Sequence, residues 1–291
     1  MKIIDAAVQP PVEDILKTGL YDGPGPASGR YRRDQALDPA YLLKSLDLFL
    51  KDQRSTGVVA SIVSALAPVV TFDAYANLTG PMTEFPNEQV AAICDELDGF
   101  YGLASVNPAD NPNAVDDLVH WLDHGMLGVK LYPGWFAEPL HCDNEILYPI
   151  YETCAARNVP AVILHGGFSG PDLSYTDPVH IERVAMNFPT LKIIVAHGGF
   201  PYIQQITGLL YRRRNIWLQP DMYFPGMPGQ QDLILAMSSY ARERVIYTSS
   251  YPFTHGRDQL DRIRALGLTD TVLQRFLHDN AAEAYGLADR R

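Results

Sequence analysis

Short apolar runs alternate along the chain with longer stretches in which apolar residues recur every three or four positions. The short runs are rich in Val, Ile and Leu, and we predict that they form the β-strands Ile3–Val8, Val58–Val63, Gly99–Val106, Leu127–Tyr132, Ala161–His165, Lys192–His197, Asn215–Gln219 and Arg244–Thr248. The longer stretches have the spacing of amphipathic helices, for example Tyr41–Arg54, Ala114–His124, Ile146–Arg157, Pro178–Asn187 and Tyr202–Arg213. This alternation is typical of parallel βαβ units.

Eight such units indicate an α/β fold of the (β/α)8 TIM-barrel type. A barrel of this kind needs about 250 residues, and the chain has 291, which leaves room for long loops and for C-terminal helices within Thr269–Leu287. We find no internal repeat, low-complexity tract or linker, so we predict a single domain over 1–291. A doubly wound open sheet is the rival topology, but the Gly-x-Gly-x-x-Gly turn of dinucleotide-binding folds is missing after the first strand.

The predicted loops after the first and second strands are unusually long, at Pro10–Asp38 and Ala65–Asn87. Loops of this length inside a domain are usually lids or contact surfaces. Both would lie at the C-terminal face of the barrel, where barrel enzymes have their active sites.

Composition narrows the possible partners and compartments. Hydrophobic residues make up 47% of the chain. The net charge is −11, and this negative charge disfavours nucleic acid or an anionic membrane as a partner. The three cysteines (Cys94, Cys142 and Cys154) show no Cys-x-x-Cys spacing and indicate a reducing compartment. The first residues do not resemble a signal peptide, and no apolar run is long enough to cross a bilayer. We therefore expect a cytoplasmic protein.

Two histidines at predicted strand ends carry the strongest chemical signal. His165 and His197 each follow an apolar strand and each precede two glycines. Glycine permits a tight turn and a close approach of the backbone to a ligand. Because the ends of barrel strands point into the active site, we predict that both histidines belong to one site.

The motifs around these histidines together resemble a known family. They are Leu127–Pro133, the two His-Gly-Gly turns, Ser249–Phe253 and the closing Asn280–Leu287. The combination is similar to the amidohydrolase-related family of the metal-dependent amidohydrolase superfamily, which includes decarboxylases and hydratases of unsaturated or aromatic carboxylates, and the resemblance spans Ile3 to Leu287. It implies a barrel with two metal-binding histidines in an Asp-x-His-x-His motif on the first strand. It also implies a metal-binding His after the fifth strand, a catalytic His after the sixth, and a metal-binding Asp after the eighth.

The sequence departs from this pattern at three of the four implied metal ligands. Ala7 and Gln9 stand in place of the first-strand histidines, and Ser250 stands in place of the final Asp. His165 is the one implied ligand that remains, and His197 corresponds to the catalytic His. Because zinc needs three or four N, S or carboxylate donors, we expect no metal at the usual place and no other cofactor.

Two other metal arrangements stay open. Lys130 lies where some members of the superfamily carry a carbamylated Lys that bridges two metals. Because the first-strand histidines are missing, we favour the alternative that Lys130 is part of a structural Gly-Val-Lys turn. His197, Asp221 and His255 could form a displaced site, but nothing in their spacing requires one.

The remaining strand-end and loop residues are candidates for substrate binding. Arg30, Arg32 or Lys130 could neutralise a carboxylate, although the basic run at Arg30–Arg33 also fits a solvated surface. Aromatic rings near the predicted mouth could stack on a planar substrate or simply fill the barrel. The full set of predicted binding residues is Gln9, Arg30, Arg32, Lys130, Tyr132, Trp135, Asp221, Ser250 and Tyr251.

These observations favour an enzyme that uses histidine acid–base chemistry without the usual divalent metal. We predict His197 as general acid or base, with His165 assisting, because the pKa of histidine suits proton transfer near neutrality. The substrate would be a small, carboxylated, unsaturated or aromatic molecule that undergoes decarboxylation, hydration, lactone hydrolysis or isomerisation. The alternatives are a catalytically silent subunit that pairs with a metal-bearing relative, or a binder of small ligands. A homo-oligomer, or a heteromer with a related barrel, is the expected assembly.

Overall fold

A computed structural model describes residues 1–17, 39–70 and 82–288 of the chain. Its strands are β1 (Ile3–Val8), β2 (Val58–Ser64), β3 (Leu66–Val69), β4 (Thr83–Phe85), β5 (Phe100–Leu103), β6 (Val129–Leu131), β7 (Pro160–Leu164), β8 (Lys192–Ala196) and β9 (Ile216–Gln219). Parallel pairing joins them in the orders β1-β2-β5 and β6-β7-β8-β9. These two parallel sheets form the wall of the barrel.

Backbone hydrogen bonds outside the regular strands join the two sheets into a ring. Between β5 and β6, the Lys130 amide donates to the carbonyl of Ala104 at 2.7 Å. On the other side, segment 244–248 pairs with β9. The Leu218 amide donates to the Arg244 carbonyl, and the Ile246 amide donates to the Leu218 carbonyl, each at 2.8 Å. The Ala6 amide then donates to Tyr247 at 3.2 Å. The segment is the predicted eighth strand, and the TIM barrel is confirmed.

The helices are α1 (Glu13–Lys17), α2 (Pro39–Leu42), α3 (Leu46–Thr56), α4 (Asn87–Glu96), α5 (Ala114–Asp123), α6 (Tyr148–Ala156), α7 (Pro178–Asn187), α8 (Ile203–Arg212), α9 (Gln230–Ser238), α10 (Gly256–Arg264), α11 (Asp270–Gln274) and α12 (Asn280–Ala284). Helix α3 begins later than predicted because Ser45 caps it, its hydroxyl accepting a bond from the Leu48 amide. Helices α1, α4, α9 and α10 are not among the helices predicted above.

The described part of the long loop after β2 contains more structure than the sequence indicated. β3 and β4 pair antiparallel there, with Leu66 opposite Phe85 and Val69 opposite Thr83. The described part of the loop after β1 contains the short helix α1. Leu66, Phe85 and Ile15 from these segments line the cavity described below, so both loops help to build the candidate site.

The C-terminal helices pack against the eighth barrel segment. A π-helical turn, Arg275–Asp279, separates α11 from α12. The buried amide of Asn280 donates to the carbonyls of Arg242 and Val245, each at 2.8 Å. Asn280 therefore has a structural role in the closing motif. No helix in the described ranges is long and apolar enough to cross a membrane.

Candidate active site

A cavity of about 110 Å³ opens among the C-terminal ends of the barrel strands. An apolar cavity of about 150 Å³ accommodates benzene, so this smaller cavity limits a ligand to about one ring. Polar groups reach it from several strand ends, and they are Gln9, Ser64, Lys130, Tyr132, His197, Asp221 and Ser250. Aromatic rings supply much of the remaining wall, and they are Phe85, Trp135, Phe168, Tyr223, Tyr251 and Phe253.

Three polar residues of the cavity have a left-handed backbone conformation. The φ angles are 61° at His197, 55° at Asp221 and 53° at Ser250. Such a conformation costs an L-residue on the order of 1–3 kcal/mol and is frequent at functional sites. Each of the three residues follows the end of a barrel strand, and all three line the same cavity.

The His197 imidazole is held by the first His-Gly-Gly turn. Its Nδ1 lies 3.1 Å from the carbonyl oxygen of Gly166. A carbonyl only accepts, so Nδ1 carries the proton in the neutral ring and Nε2 is left as the basic atom. Burial lowers the pKa of His197, as does Lys130, while the nearby Asp221 carboxylate opposes the shift. His197 is therefore a neutral base near pH 7.

Asp221 contacts His197 directly. Its Oδ2 accepts a hydrogen bond from the His197 backbone amide at 2.6 Å and lies 3.8 Å from Nε2. Its Oδ1 accepts from the Thr248 hydroxyl at 2.5 Å. Asp221 was predicted to bind substrate. It does line the cavity, but these contacts also give it the geometry of a group that orients His197 and stabilises its protonated form.

His165 lies outside the cavity lining, although it shares the motif of His197. The side chain is 1% exposed, with Nε2 3.2 Å from the Asp177 carbonyl and Nδ1 4.0 Å from the Cys142 sulfur. Burial, with a contribution from His180, lowers the pKa of His165 to about 4. The structure thus places this predicted catalytic residue outside the cavity lining, with a buried imidazole that is neutral near pH 7. The left-handed backbone at His197, which His165 lacks, accounts for the difference.

Lys130, Tyr132 and Trp135 form one side of the cavity. The Lys130 ammonium lies 5.5 Å from the Tyr132 ring centroid, and Tyr132 stacks on Trp135 at 6.0 Å. Trp135 Nε1 donates to the carbonyl of Phe168 at 2.5 Å, which ties the loops after β6 and β7 together. Lys130 is the only Lys or Arg among the described lining residues, so it is their one fixed positive charge.

The remaining predicted binding residues have mixed positions. Gln9 and Ser250 line the cavity, and the Gln9 amide donates to the Ser64 carbonyl at 3.3 Å. Tyr251 also lines it, but its ring packs on Phe49 at 4.5 Å and belongs to the core. Arg30 and Arg32 lie outside the described residues.

Sequence reasoning missed two buried polar residues near the site. Asp5 lies two positions before Ala7, and its Oδ1 accepts from the Ser249 amide at 2.8 Å. Gln259 donates to the carbonyls of Phe224 and Thr248 at 3.0 and 3.3 Å. The alternation of a strand could have indicated that Asp5 shares a face with Ala7, whereas nothing in the helical pattern of α10 singles out Gln259.

The described residues do not fit the metal that the family resemblance implies. Ala7 offers no donor, Gln9 and Ser250 offer only neutral oxygens, and His165 faces away from the cavity. Within the described ranges, no three His, Cys, Asp or Glu side chains are arranged to hold a metal ion. His255 lies 3.7 Å from the Asp258 carboxylate and is not part of the lining, so it does not complete a displaced site with His197 and Asp221.

Comparison with known families gives one match that covers most of the chain. A sequence model of the family described as Amidohydrolase matches residues 48–287. A search of curated proteins finds no significant match.

Solved structures show the same fold over the whole chain. The uncharacterized TIM-barrel protein Bb4693 from Bordetella bronchiseptica is 30% identical, with a TM-score of 0.88 and all of both chains covered. The 2,6-dihydroxybenzoate decarboxylase from Rhizobium is 16% identical, with a TM-score of 0.70 and 99% of each chain covered. A dihydroxybenzoic acid decarboxylase from Polaromonas sp. JS666, solved with bound manganese and the inhibitor 2-nitroresorcinol, is 18% identical, with a TM-score of 0.68 and 99% of this chain and 97% of that chain covered.

Proposed function

The chain belongs to the amidohydrolase family, and we propose that its cavity is the active site of a decarboxylase-like enzyme that acts on small planar carboxylates without a divalent metal. The proposal rests on one observation, namely that the neutral imidazole of His197 and the Lys130 ammonium line the same cavity, whose walls are largely aromatic. Such a cavity supplies a proton-transfer group, a positive charge for a carboxylate and flat walls for a ring. The likeness to decarboxylases of aromatic carboxylates supports this class of substrate.

Decarboxylation is the reaction that this set of groups serves most directly. Lys130 pairs with the substrate carboxylate on binding. The Asp221 carboxylate stabilises the protonated form of His197. The imidazolium then transfers its proton to the ring carbon that bears the carboxylate. The carbon–carbon bond breaks, its electron pair returns to the ring, and carbon dioxide leaves. Solvent reprotonates His197 for the next turnover.

A reaction that needs only a proton shuttle fits the cavity better than ordinary hydrolysis. Hydrolytic barrel enzymes use a metal to activate water, and this is worth several kcal/mol. Among the described residues, the lining supplies His197 and Asp221 as titratable groups on adjacent strand ends, but no cluster that could hold such a metal.

The test uses the purified chain after dialysis against a chelator, with its metal content measured by elemental analysis. It is incubated with hydroxybenzoates, including 2,6-dihydroxybenzoate, and the decarboxylated product and carbon dioxide are quantified. We expect turnover with far less than one metal ion per chain. We also expect its loss in His197→Ala but not in His120→Ala, which replaces an exposed histidine of α5.

Two outcomes would overturn parts of the proposal. Tight retention of a metal ion, with activity that follows metal content, would show that catalysis uses the metal. Saturable stabilisation by hydroxybenzoates without any product would instead identify a ligand-binding barrel. Activity retained by His197→Ala would remove His197 from the mechanism.

A further inference from the structure

A buried carboxyl lies directly behind the wall of the candidate site. Asp5 is 1% exposed, and on β1 it lies two positions before Ala7, which lines the cavity. Its Oδ1 accepts a hydrogen bond from the Ser249 amide, but its Oδ2 has no hydrogen-bond partner among the described residues. A buried carboxylate oxygen without a donor is costly, so the carboxyl at this position favours the neutral form.

Asp5 and Asp221 hold consecutive residues of the same segment. The Thr248 hydroxyl donates to Asp221, and the next residue, Ser249, donates its amide to Asp5. Ser250 follows with its left-handed backbone and lines the cavity. The two carboxyls thus fix the strand end that carries Ser250 from opposite sides, one from β1 and one from the turn after β9.

The charged and titratable groups around Asp5 determine its ionisation. Burial raises the pKa of Asp5 to about 7, and repulsion by Asp221 adds to the shift, against the opposing hydrogen bonds from Ser249 and from the Ala7 backbone. The buried hydroxyl of Tyr247 faces the same region, and the Asp5 charge contributes to the raised pKa of Tyr247. Two carboxylates that repel each other in a buried site do not both ionise readily.

We propose that Asp5 is a positioning residue of the active site, which with Asp221 holds the Thr248–Ser250 segment and takes up a proton so that the two buried carboxyls together carry one negative charge. Asp221 keeps that charge beside His197. Ionisation of Asp5 at alkaline pH adds a second negative charge behind the cavity, which favours the protonated form of His197. This inference extends the proposed role of His197, but its test requires no turnover.

The test follows the Asp5 carboxyl and the His197 imidazole by NMR as a function of pH in the full chain. In the wild type, we expect the carboxyl to titrate near neutrality and the His197 signals to show a second inflection over the same range. Asp5→Asn should remove that second inflection, because its amide stays neutral. Asp143→Asn is the matched control, since Asp143 pairs with His180 and Arg183 away from the cavity; it should keep both inflections.

Three results would overturn the proposal. The first is an Asp5 carboxyl that titrates in the ordinary range near pH 4. The second is a His197 titration curve that is unchanged in Asp5→Asn. The third is loss of the second His197 inflection in Asp143→Asn as well. If Asp5→Asn does not fold, Asp221→Asn provides the test, because removal of that charge should shift the Asp5 titration to lower pH. An unshifted titration would then contradict the shared charge.

Once a substrate is known, the ratio of turnover in Asp5→Asn to wild type adds a second readout. It should be close to one at pH 5, where Asp5 is protonated, and should change severalfold above pH 7. A purely structural Asp5 would give the same ratio at every pH. Because the NMR curves are recorded without substrate, failure of the proposed decarboxylation would leave this result intact.

Discussion

The carbonyl oxygen of Gly166 lies 3.1 Å from Nδ1 of His197. The two His-Gly-Gly turns thus form one unit, in which the backbone of the first turn fixes the ring of the second. A Cβ atom added at Gly166 would lie 2.7 Å from the carbonyl oxygen of His197 and 2.9 Å from the Cβ atom of His197. The first turn is therefore needed for the geometry of His197, although His165 itself lies outside the cavity.

Gly166→Ala should displace His197 and lower kcat/KM by about ten- to a hundredfold, since small misplacements of a catalytic group cost about this much. Nitrogen NMR of His197 should show the Nδ1–H tautomer in the wild type and a mixture in the variant. Gly208→Ala is the control, because its added Cβ meets nothing within 4 Å. A single, unchanged tautomer in Gly166→Ala would contradict the hydrogen bond.

Asp221→Asn should lower the pKa of His197 further, because the carboxylate is the first group that opposes its desolvation. The imidazolium would then form less readily, and kcat/KM should fall by about two orders of magnitude, the usual contribution of acid–base groups. NMR titration of His197 and steady-state kinetics measure the two effects. An unchanged titration would mean that Asp221 does not stabilise the imidazolium.

His165 should make the protein sensitive to acid. Its pKa in the fold is about 4 against an ordinary value of 6.5, so its stabilising contribution is complete above about pH 6.5 and is lost as the pH falls towards 4. The loss amounts to roughly 3 kcal/mol. Denaturant unfolding from pH 7 to pH 4 should show a smaller loss of unfolding free energy in His165→Gln. Parallel curves for the two proteins would contradict a neutral, buried His165.

Asp5 should have the opposite dependence. Its pKa is raised from 3.8 to about 7, so the stability linked to its protonated form is fully present below about pH 4 and is lost as the pH rises through 7. This loss is on the order of 4 kcal/mol. Asp5→Asn should therefore gain stability relative to the wild type between pH 5 and pH 8, measured by denaturant unfolding. Because His165 and Asp5 offset each other in the wild type, only the single variants reveal each contribution.

Lys130→Met should weaken the binding of benzoate, a simple planar carboxylate, by about ten- to a hundredfold, since a hydrogen bond to a charged group contributes roughly 1.5–3 kcal/mol. It should also raise the pKa of His197, because Lys130 is one of the groups that lower it. Calorimetry and NMR measure these effects. Lys192→Met, at the opposite end of a barrel strand, should change neither; equal losses in both variants would indicate a non-specific charge effect.

Residue patterns alone predicted the barrel because its strands are apolar on both faces. Ile193, Ile194 and Val195 on β8, for example, are fully buried, and such continuous apolar runs are typical of parallel strands covered by helices. The antiparallel pair β3–β4 and helix α10 were missed. The two strands have only four and three residues, and the sequence of α10 is mostly polar.

The sequence by itself determined the fold class and the family, because these depend on residue identity and spacing. The absence of metal donors at Ala7, Gln9 and Ser250 stays a prediction. Only the tertiary structure decided which histidine faces the cavity. His165 and His197 have the same local sequence, but the backbone of His197 is left-handed and that of His165 is not. Their different positions, like the pairing of Asp5 with Ser249, follow from contacts between strands far apart in the chain, which local patterns do not encode.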